Sequence, residues 1–259
     1  MASRWWRDQR GSAVIGPALR RDPWWLEILP AIVLLGGFGI YATWAALQNA
    51  HYFVAPYLSP FYSPCLSTAC AHVTLPIVGG WWTLSPAFLI LWIPLGFRGT
   101  CYYYRKAYYR AFFWAPPACA VPDRTRTYTG ETRIPWLVQN LHRYFFYPSV
   151  LVVAFLWWDA LMAFRFPTGF GMGVGTLVLL TNAALLSIYT FSCHSCRHLC
   201  GGALDTLSRS PGRQGLWRFV TRLNERHGAI AWVSLVGVGL ADLYVRLVSM
   251  GIITDLRIM

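Results

Sequence analysis

The chain has 259 residues, 56% of them hydrophobic, 17% aromatic and only 12% charged, with 14 Trp and a mean hydropathy of +0.41, whereas a soluble domain carries about 25% charged residues. That composition excludes a disordered chain, a secreted disulfide scaffold and a cytosolic enzyme, and it predicts an all-α integral membrane protein built as one domain over residues 1–259. The formal net charge of +12 invites a nucleic-acid reading. The basic residues, all Arg except Lys106, instead cluster between apolar runs, which is the distribution that membrane topology imposes, so nucleic acid is not an expected partner.

Five apolar runs, at about 26–48, 79–97, 147–164, 172–196 and 229–249, are each long enough to cross ~30 Å of hydrocarbon. All five are expected to be helices in one bundle, because a spanning segment must satisfy its backbone hydrogen bonds internally. The first 25 residues carry Arg4, Arg7, Arg10, Arg20 and Arg21 and no separate apolar core. No cleavable signal peptide is therefore expected, and the first run stays as an anchor. With the N-terminus in the cytoplasm, those five Arg, eight basic residues from Arg98 to Arg143 and six from Arg197 to Arg226 lie inside. Only Arg165, Arg246 and Arg257 remain for the other face, as the positive-inside rule requires.

Segment 49–78 contains no Asp, Glu, Lys or Arg, and Pro56, Pro60, Pro64 and Pro76 forbid a long helix there. Its Tyr and Phe content predicts that it folds back on the outer ends of the bundle. The cytoplasmic loop 99–146 begins with Cys101-Tyr102-Tyr103-Tyr104-Arg105-Lys106-Ala107-Tyr108-Tyr109-Arg110, aromatic and basic as at a headgroup boundary. After Pro116-Pro117 it becomes an exposed stretch suited to docking a soluble partner. No internal repeat is evident. Two carboxylates fall within spans: Asp242 stands one turn before Arg246 and is expected to pair with it, while Asp159 meets Arg246 or Arg165 or carries protons.

Cysteine and histidine supply the chemistry. Cys193-His194-Ser195-Cys196-Arg197-His198-Leu199-Cys200, followed by Gly201-Gly202, puts five of the chain's Cys and His residues at the inner end of the fourth span. Thiols stay reduced on that side, so a metal or redox centre is the natural reading. At ~100° per residue, Cys193, Cys196 and Cys200 share one helical face, and His194 and His198 share another. Either the helix unwinds near Gly201, or one face supplies two ligands and Cys101, His142 and His227 supply others from the same depth. Mixed Cys and His ligands suit zinc, or an iron-sulfur centre in which two His replace two Cys on one iron. In the outer loop, Cys65 and Cys70 are expected to form a disulfide, and Cys70-x-His72 is half of a Rieske spacing.

The strings HYFVAPYLSPFYSPC (51–65), CYYYRKAYYRAFFW (101–114), NLHRYFFY (140–147) and CHSCRHLCGG (193–202) carry a resemblance over nearly the whole chain. It resembles the single-chain membrane anchor of the actinobacterial type of succinate dehydrogenase, respiratory complex II. The resemblance implies five spans in the plasma (inner) membrane, a partner pair made of a flavoprotein and an iron-sulfur protein, and quinone reduction in the membrane. It also implies a Rieske-type 2Fe-2S centre in place of haem, with Cys193, His194, Cys196 and His198 as the positions carried over; the two-face geometry of the helix makes Cys101, Cys200 and His142 the replacements. Tyr104 and His142, at the inner interface, are candidates for hydrogen bonds to quinone. Two rival readings are a dihaem cytochrome b type anchor, whose second haem would have only His51 and His72 near it, and a transporter, for which Asp159 and Asp242 provide little polar pathway.

Overall fold

The computed structural model describes residues 21–66, 85–121, 136–202 and 205–259. Four helices in it are long and apolar enough to cross a membrane, and a fifth apolar helix is shorter. Helix α1 (Leu29–Gln48) starts with Pro30 in its first turn and stops at Asn49, which turns left-handed at φ 47°. The short apolar helix is α2 (Ala87–Gly99); the part of the expected second span at 79–84 lies outside the described residues. Beyond it, α3 (Tyr102–Tyr108) continues into one π turn, Tyr109–Phe113. Helix α4 (His142–Met162) follows a 3-10 turn at Trp136–Leu141, so it begins five residues before the expected 147. Pro148 lies early in this helix and costs it one backbone hydrogen bond without ending it.

The fourth run differs from expectation in an informative way. Helix α5 (Val174–Phe191) ends before the cysteine string, and a new helix, α6 (His194–Gly201), starts after Cys193 turns extended at φ −64°, ψ 148°. The unwinding therefore falls at Ser192 and Cys193 and not near Gly201. An amphipathic helix, α7 (Pro211–Glu225), carries Arg213, Arg218 and Arg222 and leads directly into α8 (His227–Ser249). Helix α5 packs most extensively on α8 and next on α4, with α2 against α4 and α1 against α8.

Two ends of the bundle result. At one, called the basic end below, α2 and α5 finish while α4 and α8 begin. At the other, residues 49–66 fold back on the helices as expected, with Tyr52, Tyr57, Leu58, Phe61 and Tyr62 buried. A hairpin of β1 (Phe53–Val54) and β2 (Tyr57–Leu58) delivers Tyr57 against the start of α5. A Cβ on Gly175 would sit 2.6 Å from the Tyr57 ring, so only glycine lets the two meet. The Tyr57 and Tyr244 hydroxyls each donate to Asp255 at 2.6 Å. A second hairpin, β3 (Arg165–Phe166) with β4 (Gly169–Phe170), joins α4 to α5 at this same end.

The charges within the spans are held here. Arg246 donates to Asp242 at 2.7 Å, the pairing expected from their spacing, and both side chains are at most 1% exposed. Asp242 also accepts from Tyr41 and Ser59, and Arg246 donates to the Ala45 and Ala50 carbonyls. Asp159 accepts from Ser63. Cys65 is disulfide-bonded; Cys70, its expected partner, and His72 lie outside the described residues.

Candidate functional site

At the basic end, two membrane helices break at matching places. Helix α2 ends on Thr100, with Cys101 extended before α3; helix α5 ends on Ser192, with Cys193 extended before α6. Two helices that begin at this end do so on histidine, α4 on His142 and α8 on His227.

These six residues interlock crosswise. The Thr100 hydroxyl donates to the Gly96 carbonyl at 2.6 Å and lies 2.8 Å from His142 Nδ1. The Ser192 hydroxyl donates to the Tyr189 carbonyl at 3.1 Å and lies 2.6 Å from His227 Nδ1. Counting protons assigns the tautomers, because each hydroxyl has spent its single proton on a carbonyl and can only accept from the ring. Both imidazoles therefore carry their proton on Nδ1 and aim the Nε2 lone pair elsewhere. His142 Nε2 lies 2.9 Å from Cys193 Sγ, and His227 Nε2 lies 3.5 Å from Cys101 Sγ. Each histidine thus joins the hydroxyl of one break to the thiol of the other.

Aromatic rings fix the imidazoles. Phe97 stacks on His142 at 4.8 Å and 3°, and Tyr189 stacks on His227 at 5.1 Å and 10°. The two stacking rings stand three residues before Thr100 and Ser192, so the pattern aromatic-x-x-hydroxyl-Cys occurs twice, at Phe97–Cys101 and Tyr189–Cys193. This short internal repeat is readable in the sequence, but it becomes meaningful only once both breaks are known.

Most of the cluster is buried: Cys101, Cys193 and His227 are each no more than 2% exposed, and His142 is half-buried. Burial pushes the Cys193 thiol up to about 11, against the opposing pull of the Ser195 amide and with Cys101 adding to the rise. Burial also raises the Cys101 thiol. Arg98 lies on the membrane side of the cluster, its guanidinium 4.4 Å from the Tyr189 ring centre, and donates to Ser234 at 3.1 Å.

The Cys-His string itself divides. Cys193 and Cys196 are buried, while His194 and His198 are exposed on the outer face of α6, as the two-face geometry of a helix requires. Cys193, His194, Cys196 and His198 are therefore not brought to one point. Cys196 packs in the apolar core at this end, and burial, followed by the charge of Cys200 one turn on, pushes it up to about 12. Cys101, Cys119, Cys193, Cys196 and Cys200 are all free thiols. Among the described residues, no three His, Cys, Asp or Glu side chains converge on a position where one metal ion would sit.

The two residues expected to bind quinone present no free polar atom here. Tyr104 donates its hydroxyl proton to the Ala231 carbonyl at 2.5 Å and accepts from Arg98, and both ring nitrogens of His142 are engaged as described. For the dihaem reading, His51 is exposed at the opposite end and His72 lies outside the described residues, so no facing histidine pair at that depth is among them.

Fold and site together define a multi-pass helical membrane protein with a buried cysteine-histidine centre at one end of its bundle. The chain belongs to the family of the actinobacterial succinate dehydrogenase subunit SdhC, whose model matches residues 26–251. It is therefore an inner-membrane subunit of an oxidoreductase complex. It is similar to a chain of the Mycobacterium smegmatis Sdh1 complex in the apo form, at 46% identity over 96% of this chain and 97% of that one, with a TM-score of 0.87. Comparison with curated proteins gives no match.

Proposed function

We propose that this chain anchors the flavoprotein and iron-sulfur subunits of succinate dehydrogenase to the membrane and carries electrons from them to quinone through a 2Fe-2S centre. The centre would be held by Cys101, His142, Cys193 and His227 at the basic end. The observation that carries this reading is the crosswise set itself: two buried thiols and two imidazoles, each imidazole with Nδ1 against a hydroxyl and Nε2 against a thiol sulfur. Second-sphere hydrogen bonds of this kind orient metal-ligating histidines. A binuclear centre asks only two protein ligands of each iron, so pairs suffice where a single ion would need three or four.

When bound, such a centre takes up single electrons, and imidazole ligation raises its potential relative to an all-cysteine cluster. The chain's own residues do the rest. Thr100 and Ser192 fix the imidazole tautomers, Phe97 and Tyr189 clamp the ring planes, and the apolar packing of Phe146, Ala231 and Leu235 keeps water out. Arg98, beneath the cluster, places a positive charge where an electron arrives.

The EPR spectrum and iron content of the purified, dithionite-reduced complex test the assignment. The Thr100→Val variant, which removes the Nδ1 acceptor, is expected to lower occupancy of the centre on the order of 10–100-fold in affinity. An unchanged signal and unchanged iron retention against a chelator would place the centre elsewhere.

The reading also sets orientation. The basic end faces the cytoplasm, where Arg105, Lys106, Arg143, Arg213, Arg218 and Arg222 and the exposed Tyr102, Phe112, Phe113 and Trp114 offer a partner a basic and aromatic surface. The shorter α2 serves as part of a fifth span. An Arg218→Cys thiol should escape a membrane-impermeant reagent on intact cells and react in inside-out vesicles. Reaction on intact cells would reverse the topology.

A further inference from the structure

Away from the basic end, α5 and α8 leave a groove of about 640 Å³ between them, lined by Leu177, Val178, Leu185, Val233, Val236 and Leu240, with Thr181 and Asn182 as polar side chains of α5. Asn182 is 2% exposed, and neither its Nδ2 nor its Oδ1 has a hydrogen-bond partner. It stands in the middle of α5, roughly 12 Å along the axis from either end at 1.5 Å per residue. An amide stripped of water at that depth is costly unless something pairs with it.

The depth and the shape restrict what that partner is. Phospholipid polar groups lie at the interface, half the hydrocarbon thickness away. The volume is in the range of small-molecule sites. The amide offers one donor and one acceptor side by side, and a lipid-soluble quinone needs both in turn: its oxidised ring accepts at a carbonyl, and its reduced ring donates from a hydroxyl. The inner end of the groove is Trp232, whose ring meets Tyr104 at 5.7 Å beside Arg98. A ring held at Asn182 therefore lies on a continuous apolar path towards the cysteine-histidine cluster.

We infer that the α5/α8 groove binds the ring of a membrane quinone at mid-depth, with Asn182 pairing with both its oxidised and reduced forms. The inference rests on the reading that quinone is the acceptor of the complex, and it adds a holding site distinct from the residues at the basic end.

The test uses the whole complex in mild detergent and an azido derivative of a short-chain benzoquinone as photolabel. Peptides covering 174–185 or 232–241 should carry label, and Asn182→Leu should lower that labelling at least tenfold and raise the KM for quinone. Because Leu removes an unpaired amide, the quinone-depleted variant should also melt no lower than the unmodified complex. Labelling of these peptides that is unchanged in Asn182→Leu overturns the inference. Loss of assembly in the variant does so too, since it means that the amide pairs with a helix of another chain. Co-purification of a phospholipid that the variant alone loses would likewise assign the groove to lipid and overturn it. If the unmodified complex takes no label anywhere and reduces no quinone, the failure lies in the underlying reading; if it reduces quinone and labels only at the basic end, the failure belongs to the groove alone.

Discussion

Replacing His142 or Cys193 with Ala is expected to abolish the EPR signal of the centre in this chain, leaving the signals of the iron-sulfur subunit, and to cut quinone reduction at least a hundredfold, while succinate oxidation by a soluble dye persists. The dissociation follows from position. A centre lying between the soluble subunits and the quinone is needed for the last transfer and not for the first oxidation. The magnitude follows from chemistry, because loss of a direct ligand exceeds the 10–100-fold typical of a second-sphere change. Cys101→Ala and His227→Ala should behave alike, since the four residues form one crosswise unit. His194→Ala and His198→Ala, on the exposed face of α6, should leave both spectrum and quinone activity within about twofold of the parent. EPR with paired quinone and dye assays reads all six variants. Loss of signal in the α6 histidine variants alone would return the centre to the Cys193–His198 string, and a parallel fall of both activities in every variant would point to assembly.

At the far end of the bundle the larger effect is on stability. Asp242→Ala leaves the Arg246 guanidinium, which is 1% exposed, without a carboxylate and with only neutral neighbours such as the Ala45 and Ala50 carbonyls among the described residues. Removing one partner of a buried ion pair costs about 3–5 kcal/mol, which for a chain of this size is a fall in Tm on the order of 10 °C. The paired replacement Asp242→Leu with Arg246→Met should recover more than half of that loss, because an apolar pair carries no stranded charge. Thermal unfolding in detergent measures both. A Tm in Asp242→Ala within a degree or two of the parent would show that the pair is hydrated in the membrane.

Four of the five expected spans were readable because apolarity is the property the bilayer selects, and so was the pairing of Asp242 with Arg246 from their one-turn spacing. Helix ends were less so. His142 to Tyr147 continue α4 although they are polar and aromatic, since helical backbone is the cheapest way through the headgroup region. Ser192 and Cys193 interrupt α5 although the hydropathy runs on across them. That one break divides the Cys-His string at 193–200: Cys193 lies buried and His194 and His198 are exposed. Cys101, His142 and His227 were recognisable as residues of the same depth, but not their cross-pairing, which depends on Thr100 and Ser192. Single hydroxyls at helix ends are too common to carry a signal. Asn182 went unnoticed for a similar reason, because one amide in an apolar run reads as helix packing until its surroundings are seen to lack partners.

The crosswise joining of the two breaks also sets an order of biogenesis. Thr100 and Cys101 leave the ribosome early, Ser192 and Cys193 later, and His227 only with the last membrane helix. Since His227 touches both Cys101 and Ser192, the Cys101 half of the cross cannot close until α8 has been inserted and packed, whereas the half built on Thr100, His142 and Cys193 needs no residue of α8. Chains emerge N-terminus first and acquire structure in that order. If the four residues hold the proposed centre, its full ligand set exists only on a finished polypeptide already in the bilayer, so loading would follow insertion of α8 and precede closure of the soluble subunits.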